Sequence, residues 1–243
     1  MSFNHKQMHA RFMKTFRMNY EKSSSSSDDD NDFDRQGYKK CSGCTGWDHQ
    51  LICCSACRRC YHNNCHIPPL PTTMAYTDLM SYKSWTCTMC IDIDHISKVM
   101  RERTSIPTES RLDNNEMIMA SRILLELICD EKNSFQFIEL PFKYSDPHYY
   151  KAISAPISLN SVKKRLLSKN NYYKSFSEVL FNIKKIYSNN LFYYSRDDPY
   201  HAMAQRQDYL LFQMLNKWVP QYRYCLSFTA LPSIKSAKKN DME

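Results

Sequence analysis

From about Asn114 to Tyr222, apolar side chains recur three and four positions apart, the period of a helix with one face in a core. Four helices are predicted there. The first covers about Glu116–Lys132, with Met119, Ile123, Leu127 and Ile128 on one face. The second is Ser158–Leu167, striped by Leu159, Val162 and Leu166. The third opens at Ser175 with Glu178 three positions on, a capping-box pattern, and runs through Val179, Leu180, Ile183 and Ile186. The fourth starts at Asp198-Pro199, a cap residue followed by proline at the first helical position. It carries Met203, Leu210, Leu211 and Met214 to Trp218. Between the first two helices, residues 133–157 lack this period and read as a long loop, too rich in Phe, Tyr and Pro to be a disordered linker.

Upstream the pattern is different. Residues 1–37 are polar, with a Ser23–Ser27 run followed by Asp28–Asp30, and are expected to be a disordered tail. Residues 38–93 form a cysteine-rich block. Residues 94–113 read as a part-helical linker with a break at Pro107, 114–222 as the helical bundle and 223–243 as a tail.

The chain has eleven cysteines, and all but Cys129 and Cys225 fall between Cys41 and Cys90. That clustering, mostly in Cys-x2-Cys pairs, is metal-ligand spacing and unlike a disulfide framework. The N-terminal residues lack the apolar run of a signal peptide, and no stretch reaches the roughly 20 apolar residues of a membrane span. A reducing compartment with thiols free for metal is the expectation. The net charge of +8 favours polyanionic surroundings, although a solvated basic surface explains it equally well.

Two cysteines two residues apart form a knuckle whose sulfurs converge on one ion, and tetrahedral zinc needs a second pair. The chain offers Cys41/Cys44, Cys54/Cys57, His62/Cys65 and Cys87/Cys90, enough for two structural Zn2+. Cys53 beside Cys54, and Cys60 two residues beyond Cys57, leave other registers open. With four protein ligands for each ion, neither zinc keeps a position for water. No Ser-His-Asp set or phosphate loop is present.

The run LICCSACRRCYHNNCHIPPL, with the single histidine at the fifth ligand position and Trp85 two residues before Cys87, resembles a PHD finger. The resemblance implies a cross-brace in which Cys41, Cys44, His62 and Cys65 hold one zinc. Cys54, Cys57, Cys87 and Cys90 hold the other. It leaves Cys53, Cys60, Cys129 and Cys225 as small hydrophobes and makes Trp85 a core residue. It also implies a peptide-accepting edge strand at Leu51, Ile52 and Cys53. The acids that hold an unmodified histone lysine in such fingers are missing, because Tyr38-Lys39-Lys40 precede Cys41 and Ser55 follows Cys54.

In the helical half, Pro147-His148-Tyr149-Tyr150-Lys151, Ala155-Pro156-Ile157-Ser158-Leu159, Val162–Leu166 and Ile186–Asn190 resemble a bromodomain. The implied fold is an all-α left-handed four-helix bundle whose long first loop lines an acetyl-lysine pocket. Tyr149 matches the water-bridging tyrosine of that pocket and Tyr200 its gatekeeper. The acetyl-lysine anchor, an asparagine in the family, is Tyr194 here, so the pocket is expected to be degenerate. Phe135, Phe137 and Phe142 are expected to pack the loop against the bundle.

A PHD finger followed by a bromodomain resembles the transcription intermediary factor and nuclear-body speckled-protein families. The implied function is a nuclear, chromatin-associated, non-catalytic reader or adaptor in transcriptional regulation. Implied partners are the histone H3 tail or nucleosome, co-repressor proteins and, through weak contact, nucleic acid; no membrane or small-molecule substrate is implied. The alternatives are a SUMO E3 ligase-type module, or a structural module contacting DNA through Lys163-Lys164-Arg165 and Lys184-Lys185.

Overall fold

The computed structural model describes residues 38–48, 51–70, 85–103 and 111–222. The expected tails, the Ser-Asp run and Pro107 lie outside these residues. The described residues from Lys40 onward belong to one compact unit.

The cysteine-rich part carries little regular structure. Strands β1 (Lys39–Lys40) and β2 (Trp47–Asp48) flank the first knuckle. Strands β3 (Ile52–Cys53) and β4 (Cys60–Tyr61) pair antiparallel, with Ile52 opposite Tyr61 and Cys53 opposite Cys60. The register carries a correction. Cys53 and Cys60 are not separate small hydrophobes but a disulfide, their Cα atoms 4.0 Å apart across the ladder. A 3-10 turn at Thr88–Cys90 closes the block.

Seven α-helices follow among the described residues: α1 (Asp94–Arg101), α2 (Asn114–Cys129), α3 (Glu131–Ile138), α4 (Pro147–Ala152), α5 (Leu159–Leu166), α6 (Phe176–Tyr193) and α7 (Pro199–Trp218). The four predicted helices correspond to α2, α5, α6 and α7. Helix α2 starts earlier than expected because Asp113 and Glu116 form a reciprocal capping box. At α6 only half of that motif forms: the Ser175 hydroxyl accepts from Glu178 N–H, while the Glu178 carboxylate turns to the Lys174 N–H at 2.8 Å.

The long loop is corrected too. It contains α3 and α4, the latter capped by Asp146 with Pro147 at its start. Two short apolar stretches separated by irregular chain give too few turns for a 3.6-residue period to stand out.

The bundle core includes Met119, Ile123, Leu124, Leu127, Val162, Val179, Ile183, Leu211 and Leu215, all fully buried. One polar chain runs through it. The buried Tyr187 hydroxyl donates to Gln207 Oε1 at 3.1 Å, and the Gln207 amide donates to Asp130 Oδ2 at 2.8 Å. Gln207, fully enclosed, thus has partners for both ends of its amide.

The same core continues into the finger through Met100, Ile96, Ile93, Ile67 and Ile52. Polar bonds reinforce this seam. Arg122 donates to the Thr88 carbonyl at 3.0 Å while its guanidinium lies over the Trp218 ring at 5.3 Å. The Ser97 hydroxyl and Arg101 Nε both donate to the Trp218 carbonyl, at 2.6 and 3.0 Å. Lys163 donates to the Asn64 carbonyl, and Lys40 pairs with Glu131 at 2.6 Å. The stretch read as linker is therefore, over Asp94–Arg101, a packed helix between finger and bundle.

Candidate metal centres and a small pocket

Two clusters have the ligand geometry of zinc. Cys41, Cys44, His62 and Cys65 bring one donor atom each within 4.8 Å of one another, as do Cys54, Cys57, Cys87 and Cys90. Zn–S bonds of about 2.3 Å set the sulfur–sulfur edges of a tetrahedron at about 3.8 Å. The observed edges fit: Cys54–Cys90 3.9 Å, Cys87–Cys90 3.8 Å and Cys57–Cys87 3.6 Å. In the other cluster His62 Nδ1 lies 3.4 Å from Cys44 Sγ and 3.6 Å from Cys65 Sγ, so Nδ1 is the atom turned to the metal.

The far ring nitrogen has its own partner. His62 Nε2 lies 3.2 Å from the Asp48 carboxylate, which fixes the tautomer and raises the basicity of the metal-facing nitrogen. Asp48 was not singled out in the sequence; an acid fourteen positions before a ligand histidine carries no spacing signal. Backbone amides also point at sulfur: Gly43 and His62 N–H at Cys41, Cys87 N–H at Cys54. The Cys41 thiol is held down at about 4 by the hydrogen bond from Cys65, with the His62 and Gly43 amides adding to it. For Cys54 burial acts upward, yet the amides of Cys87, Cys57 and Ala56 outweigh it and leave the thiol at about 6. Such sulfurs are ready thiolate ligands.

Local backbone explains the knuckles. Thr45 and Arg58, each directly after the second cysteine of a pair, both have φ of 60°. A Cβ on Gly43 would sit 2.8 Å from the Cys65 carbonyl oxygen and 2.9 Å from its Cβ, so only glycine lets the two halves of the first site close.

Trp85, half buried, packs edge-on against Tyr61 and His66, at 6.3 and 5.1 Å. His66 accepts from the Thr88 amide at Nε2 (3.0 Å), which leaves Nδ1–H to donate to the Pro68 carbonyl at 2.7 Å. Burial lowers its pKa, so the ring stays neutral. The Cys129 thiol lies against the Tyr61 hydroxyl, and burial pushes it up to about 12.

At the expected edge strand, Ile52 and Cys53 form β3, with Leu51 just before it. β3 is one edge of its two-stranded sheet. Cys60 is buried in the disulfide. The Ser55 hydroxyl donates to the Trp85 carbonyl at 2.9 Å.

In the bundle, Phe137, Tyr149, Ile157, Ile186, Asn190 and Tyr194 surround a cavity of about 10 Å³, room for little more than one water. Tyr194 forms part of its wall, its hydroxyl accepting from Gln136 at 3.2 Å and its ring meeting Tyr200 edge-on at 5.2 Å. Tyr200 itself is not part of the lining. Buried, it packs between Tyr194 and Phe135. Asn190, the asparagine nearest the cavity, donates its amide to the Ile186 carbonyl of its own helix at 2.7 Å. Burial raises Tyr149 to about 12. Phe137 is buried as expected, but Phe142 is corrected: it is 83% exposed. No described helix is long and apolar enough to cross a membrane.

Residues 120–206 match the bromodomain family model. The chain is 32% identical over 147 residues to E3 ubiquitin-protein ligase TRIM33 of Mus musculus, covering 57% of this chain and 12% of that protein. The TRIM33 of Danio rerio is 30% identical over 146 residues, with 58% and 12% covered. Tripartite motif-containing protein 66 of Mus musculus is 25% identical over 152 residues, with 58% and 10% covered. The chain thus spans 12% or less of these relatives' lengths. Among solved structures, the second bromodomain of Candida albicans Bdf1, bound to an imidazopyridine, aligns with a TM-score of 0.40 at 15% identity, over 42% of this chain and 99% of that one.

Proposed function

We propose that this finger and bundle form a non-catalytic reader or adaptor in the nucleus, acting on chromatin in transcriptional regulation. The observation that carries the reading is the pairing of two fully protein-ligated zinc centres with a bromodomain-type bundle, fused through one core. A centre with four protein ligands offers no open position for catalysis, so zinc here supplies fold and not chemistry. The bromodomain match and the TRIM33 likeness support chromatin as the setting.

A histone H3 tail adds to the edge of β3 at Leu51–Cys53 by main-chain hydrogen bonds. With Lys40 engaged by Glu131 and Ser55 by Trp85, the rim offers no carboxylate at the positions that would grip a lysine. Each missing charge-assisted bond is worth about 1.5–3 kcal/mol, which places Kd in the tens of micromolar or weaker, on the order of 10⁻⁵ M upward. The bundle does not take acetyl-lysine, because Tyr194 stands where an asparagine would donate and the cavity it lines is no larger than about one water. The test is NMR titration of the zinc-loaded chain with unmodified H3 peptide. Shifts confined to Leu51–Cys53 and their neighbours support the reading, whereas saturation below about 1 µM contradicts it.

The fused seam favours one second reading, a SUMO E3 ligase-type module in which finger and bundle present one surface to a conjugating enzyme. Automodification in a reconstituted assay, lost on Arg122→Ala, would select it over the reader.

A further inference from the structure

Four of the finger's cysteines crowd into eight residues: Cys53, Cys54, Cys57 and Cys60. Two overlapping knuckles can be drawn through them, Cys54/Cys57 and Cys57/Cys60, and a zinc ion has no chemical ground for preferring one thiolate to another. The fold separates them. Cys54 and Cys57 converge with Cys87 and Cys90, while Cys53 and Cys60 face each other across the β3–β4 ladder and are bonded. We propose that Cys53–Cys60 is a thiol–disulfide exchange site that locks the ligand register of the second zinc, its exchange partner being the glutathione couple.

Three observations support the assignment. The bond removes the two sulfurs that compete with Cys54 and Cys57. It also closes a ring around that knuckle, which restricts where the two ligand sulfurs can go when the metal leaves. Finally, the ring reaches the first site as well. Cys60 bridges to Cys41 through the backbone, and its carbonyl accepts from Ser42 N–H at 2.8 Å.

The exchange balances as follows. A glutathione thiolate attacks Cys53, the less buried of the two, forming a mixed disulfide as the Cys53–Cys60 bond breaks and Cys60 leaves as thiolate. A second glutathione displaces Cys53, giving glutathione disulfide and two protein thiols, with two electrons passed to the protein. Oxidation is the reverse, glutathione disulfide taking the electrons. In the reduced form four thiols share one half-site, and zinc can step between registers as it departs.

The experiment uses the full zinc-loaded chain in buffers of set glutathione to glutathione-disulfide ratio. Maleimide labelling with peptide mapping reads the thiols, and a colorimetric chelator reads zinc release. We expect Cys53 and Cys60 to be protected in oxidising buffer and labelled in reducing buffer. One of the two zinc ions should leave faster after reduction, on the order of tenfold. Cys53→Ser/Cys60→Ser should release zinc at one rate in every buffer. Labelling of both cysteines at all ratios would overturn the proposal, as would wild-type release that ignores the ratio. Both are read on wild type, so they stand even if the double variant fails to fold. Peptide binding does not enter either readout, so the proposed reader function can fail independently.

Discussion

In the finger, few apolar residues are buried, among them Ile52, Tyr61, Ile67 and Leu70, and the shape is held by two sets of four ligands and a disulfide. In the bundle, layers of Leu, Ile, Val and Met close around a few buried polar groups such as the hydrogen-bonded Gln207, and no metal cluster occurs among the described residues. A short segment cannot remove enough apolar surface from water to offset its chain entropy, so covalent and coordinate bonds replace the core. The longer helical half needs no such help. What joins them is neither kind of bond alone: α1 and the Thr88–Cys90 turn carry apolar contacts and a few directed hydrogen bonds from one regime to the other.

Zinc removal should separate the two regions most sharply. Structural zinc contributes on the order of 10 kcal/mol or more of apparent folding free energy, which the finger cannot replace. Chelation is therefore expected to abolish the finger's ordered NMR signals while far-UV circular dichroism of the bundle persists. Loss of the helical signal at the same chelator concentration would show that the bundle depends on the metal too.

The seam is the next test. Arg122→Ala removes a hydrogen bond to Thr88 and the contact with Trp218, together about 1–3 kcal/mol. The bundle's melting midpoint should fall by roughly 4–8 °C per kcal/mol lost, with both zinc ions retained. An unchanged midpoint would mean that the seam transmits nothing.

Within the finger, Asp48→Asn should weaken only the site that contains His62, by about 10–100-fold in metal affinity. Equal weakening of both sites, read by competition with a metal indicator, would assign Asp48 a general structural part instead. The smallest effect is expected at the left-handed residue after the second knuckle. Arg58→Gly relieves a φ of 60° but adds chain entropy to the unfolded state, so stability should move by less than about 1 kcal/mol. A larger loss in denaturant unfolding would mean that the Arg58 side chain matters.

How much of this was legible in the sequence follows the same division. The ligand pairs were, because metal geometry imposes a local spacing, and the caps at Ser175 and Asp198 were, because they act within one turn. The Cys53–Cys60 bond was not: it depends on strand register, which short strands hide. The buried face of α7 was only half legible. Met203 and Leu210 look like core residues, yet Ala204 and Gln207 are the more deeply buried, since Gln207 has its partners on Tyr187 and Asp130. Helix α3 escaped because its stripe is broken by Gln136 and Asn133. Asp48 and Gln136 act across the fold on His62 and Tyr194, and no period or spacing reports such contacts.

That Tyr194 leaves the bundle's cavity unfit for acetyl-lysine is the claim that decides what the bundle can read, and calorimetry on the full zinc-loaded chain tests it directly. Acetylated H3 and H4 peptides should give no measurable heat with wild type, because the cavity admits little more than a water and Tyr194 lines it in place of an asparagine. Tyr194→Asn should open the space and restore an amide donor, with binding at about 100 µM or tighter. Wild-type binding tighter than about 10 µM, abolished by Tyr194→Phe, would contradict the account, since the tyrosine hydroxyl would then be serving the acetyl carbonyl.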